Sequence, residues 1–190
     1  MPKKSNAAER IVHATASLLA SRGYFGTGLS DIIARAEAPK GSLYHYFPEG
    51  KPQIASAAIG FVADEVASFL DRAGTQAPPH ARNVLRQFTA TLRGWLEHSR
   101  FEEACPVLST SLSIDAELAP VHAECRRALR AWHVSIERAL RADGLAEKLA
   151  ASRAWLILAA LEGAVAVARV ERSFQALDAI EEELQALLPA

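Results

Sequence analysis

A chain of 190 residues, half of them apolar, is long enough to bury a core and too apolar to remain disordered. It has two cysteines and no uninterrupted apolar run of about 18 residues, which favours a reduced cytoplasmic protein over a disulfide framework or a transmembrane chain. The net charge is −1, but the charges are distributed unevenly. Residues 1–54 contain seven basic and four acidic residues, whereas residues 55–190 contain fourteen basic and eighteen acidic residues. Alanine and leucine dominate and β-branched alternation is scarce, so we expect an all-α protein with a locally basic N-terminal part.

The first predicted helix ends near Gly23, because glycine readily takes the left-handed conformation found after helices. Apolar residues at helical spacing form its inner face: Ile11, Ala14 and Leu18. The chain is then expected to fold back, with Tyr24 and Phe25 packed in the core.

Two short apolar-periodic segments separated by a break come next. The first spans Leu29 to Ala36, with apolar residues at i, i+3, i+4 and i+7. Pro39 lacks a backbone donor and disfavours helical angles at the residue before it, so it separates the segments. In the second, which starts at Lys40, Leu43 and Phe47 lie four residues apart and can point inward together. Two short helices joined by a tight turn form the helix-turn-helix layout.

The outer face of the second segment carries side chains suited to DNA. Lysine, serine, histidine and tyrosine can bind phosphate oxygens, and the first three can also contact base edges. The candidates are Lys40, Ser42, Tyr44, His45 and Tyr46, with Gly41 letting the backbone come close. From spacing alone, an ordinary surface helix with an aromatic end remains an equal alternative.

The run Lys40 to Phe47 belongs to a longer pattern. With Arg22-Gly23-Tyr24, Thr27 and Asp31-Ile32, it resembles the DNA-binding domain of the TetR family of transcriptional regulators, over about thirty residues. Phe47-Pro48-Glu49-Gly50-Lys51 further resembles the LmrA/YxaF-like branch. This chain departs from the common family pattern at two positions between the two short helices. Glu37 stands where the turn often has glycine, and Pro39 stands where the second helix is often capped by serine.

The resemblance implies about nine helices in two domains: a three-helix DNA-binding domain at 1–50 and an effector-binding and dimerisation domain at 51–190. It implies that α-helix 40–46 reads DNA, that Thr27 contacts the DNA backbone and that Lys51 contacts a phosphate. The expected partners are a double-stranded operator, a second copy of the chain and a small effector, with no membrane and no cofactor.

The second domain is predicted as a series of long helices. The element Ala104-Cys105-Pro106 also resembles the LmrA/YxaF-like branch. The segment from about 148 to 171 is apolar on all sides, which requires burial on two faces. With the narrow apolar seam of 175–188, it is our candidate for a dimer interface built as a four-helix bundle.

An effector pocket is expected among the aromatic residues of this domain. The candidates are Phe88, Trp95, Trp132 and Trp155, each of which is equally at home in an ordinary core, together with Cys105 and Glu162. Glu162 lies in a run of small and apolar residues, so its carboxylate needs a partner or a proton. An effector group, Arg169, a residue of a second copy and an exposed edge all remain possible environments for it.

Other classes of function have little support in the sequence. His122 and Cys125 lie i, i+3 on one predicted helix, but no second ligand pair accompanies them, so we expect no metal site. Cys105 is interpreted as a small buried thiol in preference to a redox switch. Phosphate loops, zinc-protease helices and nucleophile elbows are absent, so we expect no enzyme.

The main prediction is a ligand-responsive repressor; the alternative is a helical ligand-binding dimer that acts through a protein partner.

Overall fold

The computed structural model describes residues 7–115 and 118–189. Within them the chain forms nine helices and no strand, which confirms the all-α prediction. The helices are α1 (Ala7–Arg22), α2 (Leu29–Ala36), α3 (Lys40–Tyr46), α4 (Lys51–Gly74), α5 (His80–His98), α6 (Pro106–Ser111), α7 (Ala119–Ala142), α8 (Glu147–Glu171) and α9 (Gln175–Leu187).

The contacts divide the chain into two compact units. The first unit comprises residues 1–62 and 106–128, and the second comprises 63–105 and 129–190. Helices α4 and α7 each contribute residues to both units. The first unit therefore contains α6 and part of α7 in addition to the three N-terminal helices, and the predicted domain boundary after residue 50 stays a prediction.

The core of the first unit joins α1, α2 and α3. Its buried members include Ile11, Leu18, Ile32, Leu43, Phe47 and Ile54. Burying a side chain of this size contributes about 1.5–3 kcal/mol, which short helices need because they are marginal on their own. Leu29 and Ile33 pack against the same core, so the predicted inner face of α2 is confirmed.

The connection from α1 to α2 departs from one prediction. Tyr24 is buried as expected, but Phe25 is 64% exposed, so its predicted place in the core is wrong. The reason is the tight turn that starts at Gly23, whose φ is +67°. The turn directs only one of two adjacent aromatic rings inward, and the Phe25 ring lies edge-on against the Tyr24 ring, with centroids 5.4 Å apart.

The second unit is tied together at its helix ends. Both carboxylate oxygens of Asp143, just after α7, accept the His80 and Ala81 backbone N–H groups at 2.8 and 2.7 Å. This caps α5, which has no side-chain cap of its own. Arg82 donates to the backbone carbonyls of Leu188 and Pro189, which fixes the end of α9 against α5.

Helix α8 buries one face and exposes another, so only one of the two buried faces predicted from its all-round apolar sequence is present in the single chain. Ile157, Leu161 and Val165 are among its buried residues. The exposed apolar residues of α8 and α9 are Leu149, Trp155, Leu156, Val167, Val170 and Leu187, which we call the α8–α9 apolar face. By length and composition alone α4 and α8 could cross a membrane, but core helices of soluble proteins pass the same test.

Candidate nucleic-acid interface

Helix α3 is only seven residues long and is held by its apolar residues. Leu43 is fully buried and Phe47 is 8% exposed, both in the core of the first unit. Pro39 precedes the helix with an extended backbone and supplies no side-chain cap. The Phe47 N–H donates to the Leu43 carbonyl at 2.8 Å and closes the last turn. Tertiary packing, and not helix propensity, therefore keeps α3 formed.

The rest of α3 faces outward. Tyr44 is 51% exposed and Tyr46 is 38% exposed, a large exposure for aromatic side chains. The His45 ring stands against the Tyr46 ring at 4.9 Å. Lys40 and Gly41 are exposed and Ser42 is half-buried. One short helix thus presents six of the eight predicted DNA-binding residues on a surface rich in hydrogen-bond donors.

The start of helix α2 is stabilised by the carboxylate of Asp31. The Gly28 N–H donates to Asp31 Oδ2 at 3.3 Å, which gives one backbone N–H group at the helix N-terminus a hydrogen-bond acceptor. The same oxygen lies 3.6 Å from the Arg22 guanidinium at the end of α1. This ion pair between α1 and α2 is exposed to solvent, so it helps to orient the two helices more than it stabilises the fold.

The other two predicted DNA-binding residues are differently placed. Thr27 is 1% exposed, and its hydroxyl donates to the Gly23 carbonyl at 2.8 Å, so in this conformation it closes a turn and offers no surface to a phosphate. Lys51 is half-buried, with its ammonium 4.3 Å from the centre of the Tyr24 ring. Burial lowers the pKa of Lys51 and raises that of Tyr24. This cation–π contact holds the start of α4 against the chain that follows α1.

The structure brings together two effector candidates that the sequence separates by more than fifty residues. Burial raises the pKa of Glu162 to about 7, while a hydrogen bond with Cys105 acts in the opposite direction. Although the residue as a whole is half-buried, its Oε2 atom is buried and has no hydrogen-bond partner. Both residues belong to the second unit.

The four aromatic candidates lie in three different environments. Trp132 is buried and its indole donates to the Ala63 carbonyl at 3.1 Å, while Phe88 is buried with its ring 6.2 Å from that of Phe69. Trp95 is half-buried and donates to Glu103 at 2.9 Å. Trp155 is 47% exposed.

The position of Trp155 sets it apart from the other candidates. Its ring stacks on His133 with centroids 4.2 Å apart, on the outer side of α8. Its exposure places it on the α8–α9 apolar face.

The cysteine and histidine pair on α7 has no metal-binding geometry. Cys125 is buried and His122 is exposed. Burial and the neighbouring Glu124 raise the pKa of Cys125 to about 11, so the thiol stays protonated at neutral pH. Among residues 7–115 and 118–189, no three His, Cys, Asp or Glu side chains form a group that could hold a metal ion.

Sequence reasoning missed Arg10. On α1 it reads as an ordinary exposed arginine, yet its guanidinium bonds the carbonyls of Ala36 and Glu37 at the turn between α2 and α3. No local pattern signals a contact between residues 26 positions apart, so only the packing of α1 on α2 reveals it.

The sequence profile of the bacterial regulatory proteins of the TetR family matches residues 11–58. The profile of the C-terminal domain of LmrA/YxaF-like transcriptional regulators matches residues 81–183, more than half of the chain.

Similar proteins and solved structures agree with these two profile matches. The HTH-type transcriptional regulator Rv0196 of Mycobacterium tuberculosis is 31% identical over 96% of this chain and 94% of its own length. The crystal structure of a TetR transcriptional regulator from Legionella pneumophila has a TM-score of 0.86, with 19% identity over 99% of this chain and 100% of that one. The structure of a cysteine mutant of the TetR-family regulator CifR, complexed with 26-bp operator DNA, has a TM-score of 0.76, with 18% identity over 95% and 96%. The chain belongs to the TetR family of DNA-binding transcriptional regulators, in its LmrA/YxaF-like branch.

Proposed function

We propose that this regulator is a cytoplasmic homodimeric repressor that places α3 of each protomer in the major groove of a near-palindromic operator. The observation that carries the proposal is the outward face of α3, where Lys40, Tyr44 and Tyr46 are exposed while Leu43 anchors the helix. Two copies related by a two-fold axis require half-sites about one helical turn, or a multiple of it, apart. The operator complex of the CifR mutant supports the same mode of action here.

The proposed contacts are of two kinds. Tyr44 and Tyr46 donate to phosphate oxygens and fix the register, while Lys40, Ser42 and His45 reach base edges or phosphates. Gly41 lets the backbone approach. Lys51 is proposed to reach a phosphate from its place over Tyr24, and Thr27 to act by shaping the turn before α2.

We further propose that a small apolar or aromatic effector binds in the second unit and releases the DNA. A buried oxygen without a partner, such as Glu162 Oε2, is uncommon in native structures, and it supports a place for an effector that donates a hydrogen bond. Cys105 and the buried rings of Phe88 and Trp132 are proposed for the rest of the pocket. The effector needs only a higher affinity for the conformation in which the dimer no longer fits its operator.

Replacing Lys40 with Ala tests the proposed DNA face directly. The probe is a duplex recovered by the parent protein from a random-sequence library. We expect affinity to fall about tenfold, and the slope of log affinity against log salt to become shallower by about 2 if both copies lose a phosphate contact. Fluorescence anisotropy across a salt series measures both quantities. Arg130, exposed on α7, supplies the charge-matched control R130A, which should retain the parent's affinity and slope. Equal affinity of K40A and the parent would remove Lys40 from the interface.

Replacing Gly41 with Ala separates folding from DNA binding. A Cβ at Gly41 meets no atom within 4 Å, so the variant should keep or gain stability, by up to about 1 kcal/mol, since alanine favours helices. The added methyl lies on the proposed DNA face, so affinity for the selected duplex should fall. Gly94 on α5 is equally open and gives the matched control G94A, which should leave affinity unchanged. If G41A binds as the parent does, DNA does not approach the backbone at this position.

Charging the α8–α9 apolar face should dissociate the dimer. Val170 is 79% exposed, so Val170→Glu spares the fold of the single chain but places a carboxylate in the proposed interface. Sedimentation equilibrium should show at least a tenfold rise in the dimer dissociation constant. Leu112, which is 80% exposed in the first unit, provides the control L112E with the same change in charge. A dimer that survives V170E but not L112E would place the interface elsewhere.

The raised pKa of Glu162 should make stability depend on pH. Between its ordinary value of 4.5 and about 7, the folded state holds a proton that the unfolded state releases. The free energy of unfolding of the parent, relative to Glu162→Gln, should therefore fall across that window and level off above it. The full difference is about 3 kcal/mol, since one pKa unit corresponds to about 1.4 kcal/mol.

Urea denaturation at a series of pH values checks this difference. The control is Glu183→Gln on an exposed residue of α9, whose profile should parallel that of the parent. Parallel profiles for E162Q and the parent would show that Glu162 ionises normally.

A further inference from the structure

The turn between α2 and α3 is built on one residue in an unfavourable conformation. Glu37 has φ 48° and ψ 41°, the left-handed region that glycine usually occupies. Its N–H donates to the Ala34 carbonyl at 3.3 Å, and the Ala38 N–H donates to the Ile33 carbonyl at 3.3 Å. This pair of bonds is the Schellman motif, which requires a left-handed residue at the position of Glu37.

The carbonyls of Ala36 and Glu37 take no part in the Schellman motif and instead accept hydrogen bonds from Arg10. Its Nε donates to the Ala36 carbonyl at 2.9 Å, and its Nη2 donates to the Glu37 carbonyl at 3.4 Å. A single guanidinium on α1 therefore binds the two backbone carbonyls that flank the Cα of the left-handed residue. Its positive charge also lies at the C-terminal end of α2, where the helix dipole is negative.

This contact sets the direction of the chain just before α3. Only Ala38 and Pro39 separate Glu37 from the first residue of the helix. Ala38 is buried and Pro39 has a fixed φ, so little freedom remains once the Glu37 conformation is fixed. The backbone of α1 is anchored beside Arg10 by Ile11, which is fully buried.

We propose that Arg10 is a positioning residue for DNA recognition: it compensates for the absence of glycine at position 37 and fixes the angle at which α3 is presented to DNA. This role rests on the proposed binding of α3 to DNA, and Arg10 acts through the turn without contacting DNA. A lysine cannot replace it, because an ammonium is a point donor and the guanidinium reaches two carbonyls in a fixed geometry.

The surroundings of Arg10 make the proposal testable without unfolding the protein. The side chain lies at an open cleft of about 430 Å³, lined also by His13, Ser17 and Arg35. Shortening Arg10 enlarges this solvent-filled cleft and leaves no cavity in the core. Loss of DNA affinity in a variant that stays folded is therefore attributable to the turn.

The test compares R10A and R10K in the full-length protein, with anisotropy on the duplex selected by the parent across a salt series. Both variants should bind about tenfold more weakly, the loss expected when a charge-assisted hydrogen bond is removed. The salt slope should stay that of the parent, because no phosphate contact is lost. Circular dichroism melts and native-state amide exchange accompany the binding data, and Glu37 and Ala38 amides should exchange faster in both variants.

Repeating the R10K measurement in a variant that already carries Glu37→Gly makes the test specific to the turn. Glycine takes the left-handed conformation readily, so in the Glu37→Gly background the same R10K change should weaken binding only about threefold. R130A is the charge-matched control and should bind like the parent.

Three results would overturn the proposal. If R10K binds like the parent, charge alone matters. If the slope for R10A becomes shallower by about 1 or more, Arg10 contacts phosphate directly. If R10K costs as much affinity in the E37G background as it does in the parent, Arg10 does not act through the left-handed turn.

Discussion

The burial of Leu43 and Phe47 is the constraint on which the DNA-binding part of the molecule depends. A seven-residue helix has too few internal hydrogen bonds to persist in water, so α3 exists because these two side chains are held in the core of α1 and α2. That anchoring also decides which side chains remain outside. The polar and aromatic residues of α3 face solvent because the apolar pair occupies the inner side, and a surface suited to DNA follows from packing.

The sequence predicted this arrangement well where periodicity and turn chemistry are local. The spacing of Ile32 and Ala36, and of Leu43 and Phe47, identified both helices of the helix-turn-helix and their inner faces. Phe25 was misplaced because adjacent residues leave a tight turn in opposite directions, which hydrophobicity alone does not register. Arg10 was missed because its role depends on the packing of α1 against the end of α2, a contact between distant parts of the chain.

The second unit shows a similar limit. The all-round apolar character of α8 predicted burial on two faces, and in the single chain one of these faces is exposed. Trp155 and Glu162, seven positions apart on this helix, were both assigned to an effector pocket from residue type. They lie on about the same side of α8 but two turns apart along it. The indole is half exposed beside His133, while a carboxylate oxygen is buried near Cys105. Residue type identified unusual positions, but only the packing around each turn of the helix decides how far each side chain is buried.

Methylation interference on the selected duplex tests most directly whether α3 enters the major groove of two half-sites. Dimethyl sulfate modifies guanine N7 in the major groove and adenine N3 in the minor groove, so one experiment reports on both grooves. If α3 binds there, interference should occur at guanine N7 in two clusters about one helical turn, or a multiple of it, apart. Interference confined to adenine N3, or to a single cluster, would contradict it.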